Sequence, residues 1–294
     1  MSVLRRLPTN LIDVLTADGE YLRVLHGSHA PVFVRVAQLR PDILAVTIEG
    51  DEREHERAFE LVRRVLGVER DLTHFDLAAA RIPWLKPLAK RMRGVKPPRY
   101  PTLWEACVNA IVFQQISLPA ASAIVRRLIV AQPPALETDG VRLYPFPTVG
   151  RIQETEDQML RAAGLSLSKL TTLRRVADAL ATGALDEAML EERSSSDAIE
   201  RLRGIKGIGP WTAAVILLRG LGRLDVFPGN DTSVARNLAL VAGSATIDMD
   251  EVLEALSPQQ GMLYYHLLLA RLETRDDLGR ASVSNESGSR KETA

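Results

Sequence analysis

One cysteine among 294 residues leaves no disulfide to be made within the chain and no set of four thiolates for an iron–sulfur cluster. That residue, Cys107, sits in an apolar helical pattern and reads as core, which fits a reducing compartment. The five histidines are scattered, so no spacing suggests a metal site. Net charge is missing as well, with 37 basic side chains balancing 37 acidic ones. Such neutrality argues against a uniform coat for nucleic acid and leaves a local basic face as the alternative. The N-terminus lacks the apolar run of a signal peptide, and no stretch has the uniformity of a membrane span. Residues 106–125 are uncharged, but Asn109, Gln114, Gln115, Ser117 and Pro119 interrupt them. A cytoplasmic protein is expected.

What the chain does hold is apolar material, 46% of its residues, enough to bury a substantial core in two or three units. Residues 1–75 read as a small mixed α/β domain. Segments 32–38 and 43–49 are rich in branched side chains with partial alternation, and Arg40-Pro41-Asp42 marks a turn, which together predict a hairpin. Within 51–66, Phe59, Val62 and Leu66 recur among charges on one face, as expected of a helix covering a sheet. Residues 81–100 then carry seven basic side chains and no acidic one, a local basic segment that the overall balance conceals.

From Thr102 onward, Trp104, Cys107, Val108, Ile111 and Val112 share a helical face that ends at Phe113-Gln114-Gln115. Ser117 and Pro119 start a second helix with Ala121, Ile124, Val125 and Leu128 as its stripe. Asp248 and Glu251 stand at capping-box spacing ahead of a helix through Leu256. A further apolar helix over 261–272 bears Tyr264, Tyr265 and His266. Beyond Arg280 the composition turns polar, and 281–294 is expected to be a disordered tail.

Chemical meaning is densest between residues 202 and 236. Asp197 and Glu200 suggest a capped helix over 198–203, which Gly204, Gly207 and Gly209 interrupt. Pro210 suits the first turn of a new helix with Trp211, Ala214, Val215 and Leu218 on one face, ended by Gly220 and Gly222. A glycine turn feeding a helix N-terminus aims unpaired backbone N–H groups outward, where the helix dipole also favours an anion. A phosphate suits such a place, and Lys206, Arg203 and Arg201 add attraction to a polyanion. After the Pro228-Gly229 turn comes Asp231, which can cap a helix over 232–241 and can also serve as a catalytic carboxylate.

GIGPWTA at 207–213, the LRG triplet and an aspartate in the setting DTSVAR resemble the helix-hairpin-helix DNA glycosylase superfamily. They are most similar to its 3-methyladenine DNA glycosylase II branch, the bacterial alkylation-repair enzymes. AIVFQQIS at 110–117, Phe146-Pro147-Thr148 and AAGLSLSKL at 162–170 add to the likeness. Lys169, in the last of these, is expected to face solvent or a phosphate.

The resemblance implies an α+β fold, mostly α-helical, with a small mixed α/β domain over 1–75. One helical domain, 76–101 with 224–280, would bear the catalytic aspartate. The other, 102–223, would bear the helix-hairpin-helix. It assigns catalysis to Asp231, and the base pocket to Trp211, Phe113 and Tyr264. DNA contacts fall to Gln114, Gln115, Gly204, Lys206, Gly207, Gly209 and Thr212, with Gln115 filling the gap left by an extruded base. Three pocket positions depart from the branch: Val215 and Thr232 stand where aromatics are common, and Gln259 or Gln260 occupies the region of a further tryptophan, for which Tyr264 or Tyr265 is the substitute. Gln115 also departs, standing where the branch often has an apolar residue and related glycosylases use glutamine.

The implied activity is hydrolytic release of alkylated purines, of the 3-methyladenine and 7-methylguanine type, in base excision repair. Related bifunctional enzymes place a lyase lysine just after the glycine turn, where this chain has Trp211. No cofactor or metal is required on this reading, although the family admits a backbone-bound monovalent cation at the hairpin. The expected partner is double-stranded DNA with damaged bases, the expected state a monomer without membrane contact, nucleoid-associated when bound to DNA. A noncatalytic helix-hairpin-helix DNA-binding module and a glycosylase for oxidised or deaminated bases stand as alternatives.

Overall fold

The branched segments near the N-terminus build an antiparallel sheet in the computed structural model, which describes residues 10–138, 140–229, 231–243 and 246–274. The tail expected at 281–294 lies outside the described residues. The sheet runs β1 (Val14–Leu15), β2 (Tyr21–Leu25), β3 (Val32–Arg40), β4 (Ile43–Glu49) in sequence order. Strands β3 and β4 form the expected hairpin, with Val36 opposite Val46. Strand β2 shows no alternation because both of its faces are covered. Tyr21 and Leu25 pack with Val34 and Val36 under the next helix, while Leu22 and Val24 meet Phe33 and Leu143 on the other side.

Asp51 accepts from the Arg53 N–H to start a short helical turn, and α1 (His55–Leu66) follows, ending at Gly67 in the left-handed region. Its buried face is Ala58, Val62, Val65 and Leu66. Phe59, expected on that face, is 43% exposed instead, one position off the i, i+4, i+7 stripe and beside the Arg63 guanidinium.

Two cores sit behind the helices. Short helices α2 (Thr73–Ala79) and α3 (Lys86–Arg91) contribute Phe75, Leu85 and Leu88 to one of them. The basic side chains of 81–93 are exposed around α3. Helix α4 (Leu103–Val112), capped by Thr102, is the axis of the other core. Every residue of α4 is buried, so it is enclosed on all sides and not one-faced as its sequence pattern suggests. Helix α5 (Leu118–Val130) starts at the Ser117 cap, and β5 (Leu136–Thr138) pairs with β6 (Val141–Leu143). Then come α6 (Val149–Glu154), α7 (Asp157–Ala162), α8 (Leu167–Ala181) and α9 (Glu187–Glu191). Arg23 of β2 bridges Asp13 and Glu105 in a buried ion triad that ties the sheet to α4. Removing one partner of such a triad strands a buried charge, at a cost of about 3–5 kcal/mol.

Helix α10 (Ser195–Arg203) is capped by Ser194, whose hydroxyl accepts from Asp197 N–H. The expected cap at Asp197 is thus one turn late. Helix α11 (Pro210–Ile216) continues into a single π turn, Leu217–Leu221, that ends at Gly222 with φ +70°. Gly220 does not end the helix. It lies inside the π turn, where a Cβ would stand 2.8 Å from that of Ala106. The same turn joins the two cores, Leu217 packing in the first and Leu218 in the second. Helices α12 (Thr232–Ala242), α13 (Met249–Leu256) and α14 (Gly261–Thr274) complete the second core, with Asp248 capping α13 as its spacing suggests.

Candidate active site

Asp231 is the N-cap of α12, its Oδ1 accepting the Ser233 N–H at 2.7 Å. Its other oxygen, Oδ2, accepts the indole N–H of Trp211 at 3.1 Å and the hydroxyl of Tyr264 at 3.0 Å. Three elements therefore aim one carboxylate: the cap of α12 fixes its position, while α11 and α14 fix its orientation. Burial and the Asp231 charge push the Tyr264 hydroxyl well above its ordinary value, so Tyr264 stays a proton donor to the carboxylate. Capping uses one oxygen of Asp231 and leaves the other held in the cleft wall by Trp211 and Tyr264.

All three side chains line one cleft of about 1210 Å³, together with Phe113, Gln114, Gln115, Gly207, Gly209 and Thr212. That exceeds the usual 300–1,000 Å³ of a small-molecule pocket and leaves room for a nucleotide with part of its backbone. Val215 lines it too, an aliphatic side chain where an aromatic is common in the resembled branch. Gln259 and Gln260 stand elsewhere. The first bridges Phe75 N–H and the Asp71 carbonyl, and the second donates to the Asp225 carbonyl. Tyr264 supplies the aromatic edge beside Asp231, whereas Tyr265 is buried and donates to the Pro98 carbonyl.

Within the hairpin each glycine has a different reason. Gly207 has φ +107°, and a Cβ there would lie 1.9 Å from Thr172 Oγ1 of α8. Gly209 is extended, caps α11 without a side chain, and faces open space. Gly204 is the C-cap of α10 in ordinary helical conformation, and Lys206 is exposed. The carbonyls of Lys206 and Gly207 accept from the Arg175 guanidinium and the Gln114 amide.

The loop 113–116 between α4 and α5 reaches the hairpin through Gln114, whose amide nitrogen donates to the Gly207 carbonyl at 3.0 Å and to Thr212 Oγ1 at 2.7 Å. Gln114 and Thr212, both expected to contact DNA, thus bond to each other, and Thr212 is buried. Gln115 is exposed with φ +54°, the one positive φ outside glycine among the described residues. Such a conformation is held in place by its surroundings, typically at a functional loop. Lys169 is not directed to solvent. Its Nζ donates to the Val112 carbonyl at 2.7 Å, fixing the end of α4 from which the loop departs, and this partial burial lowers its pKa. Ile116, 38% exposed beside Gln115, and the buried Arg219 in the cleft wall also escaped sequence reasoning. The sequence signals for Arg219 are a charge in an apolar run at helical spacing from Trp211 and its place in the Leu218-Arg219-Gly220 triplet.

Cys107 is enclosed in α4, and burial pushes its thiol up to about 12, so it is no nucleophile. Among the described residues no three acidic, histidine or cysteine side chains gather as metal ligands, and no helix is long and apolar enough to cross a membrane.

The family model for HhH-GPD superfamily base excision DNA repair proteins matches residues 108–259, which include the loop, the hairpin and Asp231. A DNA-3-methyladenine glycosylase of Bacillus subtilis is 27% identical over 253 residues, 86% of this chain and 82% of that protein. Among solved structures, the 3-methyladenine DNA-glycosylase of Archaeoglobus fulgidus shares the fold with a TM-score of 0.77 at 24% identity, over 93% of this chain and 96% of that one. A 3-methyladenine DNA glycosylase of Schizosaccharomyces pombe, solved in complex with abasic DNA, aligns with a TM-score of 0.55 at 26% identity, over 67% of this chain and 97% of that one. With the family match spanning just over half its length, the chain belongs to the HhH-GPD superfamily of base excision DNA repair proteins.

Proposed function

We propose that the chain is a monofunctional DNA glycosylase that extrudes alkylated purines from duplex DNA and releases them by hydrolysis of the N-glycosidic bond. The observation that carries this reading is the Asp231 carboxylate, aimed by Trp211 and Tyr264 at the wall of a nucleotide-sized cleft. N3- or N7-alkylation gives a purine positive charge, so the base departs readily and needs little protonation. Positive charge then builds on the sugar as the C1′–N bond breaks. A preorganised carboxylate stabilises that cation and takes the proton of the attacking water.

The base is not accessible inside the stack and must be turned out. Trp211 is held by its indole edge, which leaves the ring face as a stacking surface for an electron-poor base. Gln115, exposed on its constrained loop, fills the vacated stack. Gly207 and Gly209 turn backbone N–H groups, and Lys206 its charge, toward phosphates. The separate cores on either side of the π turn support two helical units, 102–223 and 76–101 with 224–280, with the cleft between them. A pure phosphate-binding module needs neither the oriented carboxylate nor the constrained glutamine, which favours the enzyme.

Incubating the protein with alkylated duplex DNA and assaying the released bases tests this. Release of 3-methyladenine or 7-methylguanine with an intact abasic strand is expected. Binding without release supports the noncatalytic module, and strand cleavage with release contradicts the monofunctional assignment.

A further inference from the structure

One face of α8 touches both of the elements proposed to meet DNA, the loop 113–116 and the hairpin. Lys169, Thr172 and Arg175 follow one another at intervals of three residues, which keeps them on one stripe of the helix with a rise of about 4.5 Å from each to the next. In the first turn the Lys169 ammonium donates to the Val112 carbonyl at 2.7 Å. Val112 is the last residue of α4, where helix carbonyls lack a donor within the helix and the dipole favours a cation. One turn further, buried Thr172 packs against the hairpin, so closely that a Cβ on Gly207 would lie 1.9 Å from its Oγ1. In the turn after that, Arg175 donates to the Lys206 carbonyl at 3.1 Å. Leu170, Leu173 and Ala177 seat the other face of α8 in the first core, so all three contacts are made from a packed helix. Gln114 closes the circuit by bonding the loop directly to the Gly207 carbonyl and to Thr212.

We propose that Lys169 is a positioning residue for lesion recognition, holding the loop that carries Gln115 in register with the phosphate-binding hairpin through the common frame of α8. The proposal rests on the glycosylase reading above and deepens it, since Lys169 does not line the cleft and acts through the backbone it holds. One duplex must meet Gln115 and the hairpin N–H groups at the same time, so the spacing of the two elements has to match that between the vacated stack and the neighbouring phosphates. Without the ammonium the Val112 carbonyl loses its donor and the end of α4 is free to shift. The Gln115 backbone moves with it, and its φ of +54° is a conformation that depends on its surroundings. Thr172 and Arg175 still hold the hairpin, so phosphate binding survives the change. A misplacement of about 1 Å caused far from the chemistry can cost about a hundredfold in rate, so a small shift of the loop is enough to be measured.

The test uses a duplex carrying 2′-fluoro-7-methyldeoxyguanosine, whose glycosidic bond resists hydrolysis, beside 2-aminopurine, which brightens when its neighbour leaves the stack. Lys169→Met keeps an unbranched side chain and removes the donor. With the full chain, affinity of this variant for the lesion duplex should fall by about tenfold and the fluorescence rise should shrink. Affinity for the undamaged duplex should stay at the parent value, because the phosphate contacts of the hairpin are intact. In the Gln115→Ala background the same substitution should cost little more, since two residues acting through one loop are not additive. A merely structural role would lower the melting temperature or weaken both duplexes alike, and would leave the difference between them unmoved. Lys169→Gln carries the same comparison if the methionine variant does not fold. Parent-like lesion preference and fluorescence in the folded variant, or equal weakening on both duplexes, overturns the proposal and leaves the glycosylase reading standing. So does a loss of about tenfold that persists in full in the Gln115→Ala background. A parent protein that neither brightens the lesion duplex nor releases 7-methylguanine from ordinary alkylated DNA defeats that reading, and the proposal falls with it.

Discussion

Tyr264 donates its hydroxyl at 3.0 Å to the same oxygen of Asp231 that receives the indole N–H of Trp211. Hydrogen bonds to a charged group contribute about 1.5–3 kcal/mol each. Two such bonds from separate helices hold the carboxylate in one direction, which is what a stabiliser of a developing cation requires. Tyr264→Phe keeps the ring and removes one bond. Base release should fall about tenfold, with binding to damaged DNA little changed and the melting temperature lowered by a few degrees. Release at the parent rate would reduce Tyr264 to a lining residue.

The constrained loop gives a second expectation. Gln115→Ala removes the side chain proposed to fill the vacated stack, and unstacking costs a few kcal/mol. Affinity for a damaged site should drop more than affinity for undamaged duplex, in a titration of both. Gln115→Gly should share that loss while relieving a backbone conformation at φ +54° that disfavours side chains, so its stability should not fall. Equal weakening on both duplexes would assign Gln115 to local structure alone.

Gly207 and Gly209 should separate fold from binding. At Gly207 a methyl group meets Thr172 at 1.9 Å, so Gly207→Ala should destabilise the hairpin itself. Gly209 has extended backbone and open space around its Cα, so Gly209→Val should fold normally. It should nevertheless bind damaged and undamaged DNA less tightly and to the same extent, because phosphate contacts carry no sequence information. Lys206→Ala should lower the salt dependence of binding by a slope of about 0.9, the value for one neutralised phosphate. Unchanged affinity in the folded Gly209 variant would contradict the phosphate assignment.

Local signals made the hairpin, the helix starts at Thr102, Ser117, Pro210 and Asp248, and Asp231 itself legible in the sequence, because caps, prolines and glycine turns act within a few residues. What escaped depends on contacts between distant segments. Strand β2 lost its alternation because both faces are covered, and α4 looked one-faced because its polar residues, Glu105 and Asn109, are buried with partners that the sequence does not reveal. Lys169 looked like a surface cation until α8 was laid against the end of α4. Gln114 and Thr212 were each expected from the sequence to contact DNA, but their bond to each other joins positions 98 residues apart.

His266 provides a pH test of the second core. It is buried beside Phe75, hydrogen-bonded to the Met262 carbonyl, and burial holds its pKa below the ordinary 6.5. As pH falls through 6.5 the unfolded chain takes up this proton before the folded one does, so stability present above that value is lost below it. The loss from this group is at most about 1.4 kcal/mol per pH unit. Urea melts between pH 7 and pH 5 should show a decline that His266→Leu makes shallower. Parallel curves for the two proteins would contradict a buried neutral imidazole.

The mechanism depends above all on the charge of Asp231. Asp231→Asn keeps the size and one oxygen able to cap α12 but turns an amide group toward the Trp211 N–H, so the variant should fold with a stability loss of about 1–3 kcal/mol. It should still bind damaged DNA, because the ground state lacks the sugar cation that the carboxylate complements. The decisive measurement is the single-turnover rate of 3-methyladenine release from duplex DNA by the purified, folded Asn variant. The expected result is a fall of about two orders of magnitude or more, equivalent to roughly 3–4 kcal/mol of lost electrostatic stabilisation. Release at the parent rate would leave Asp231 a helix cap and contradict the mechanism.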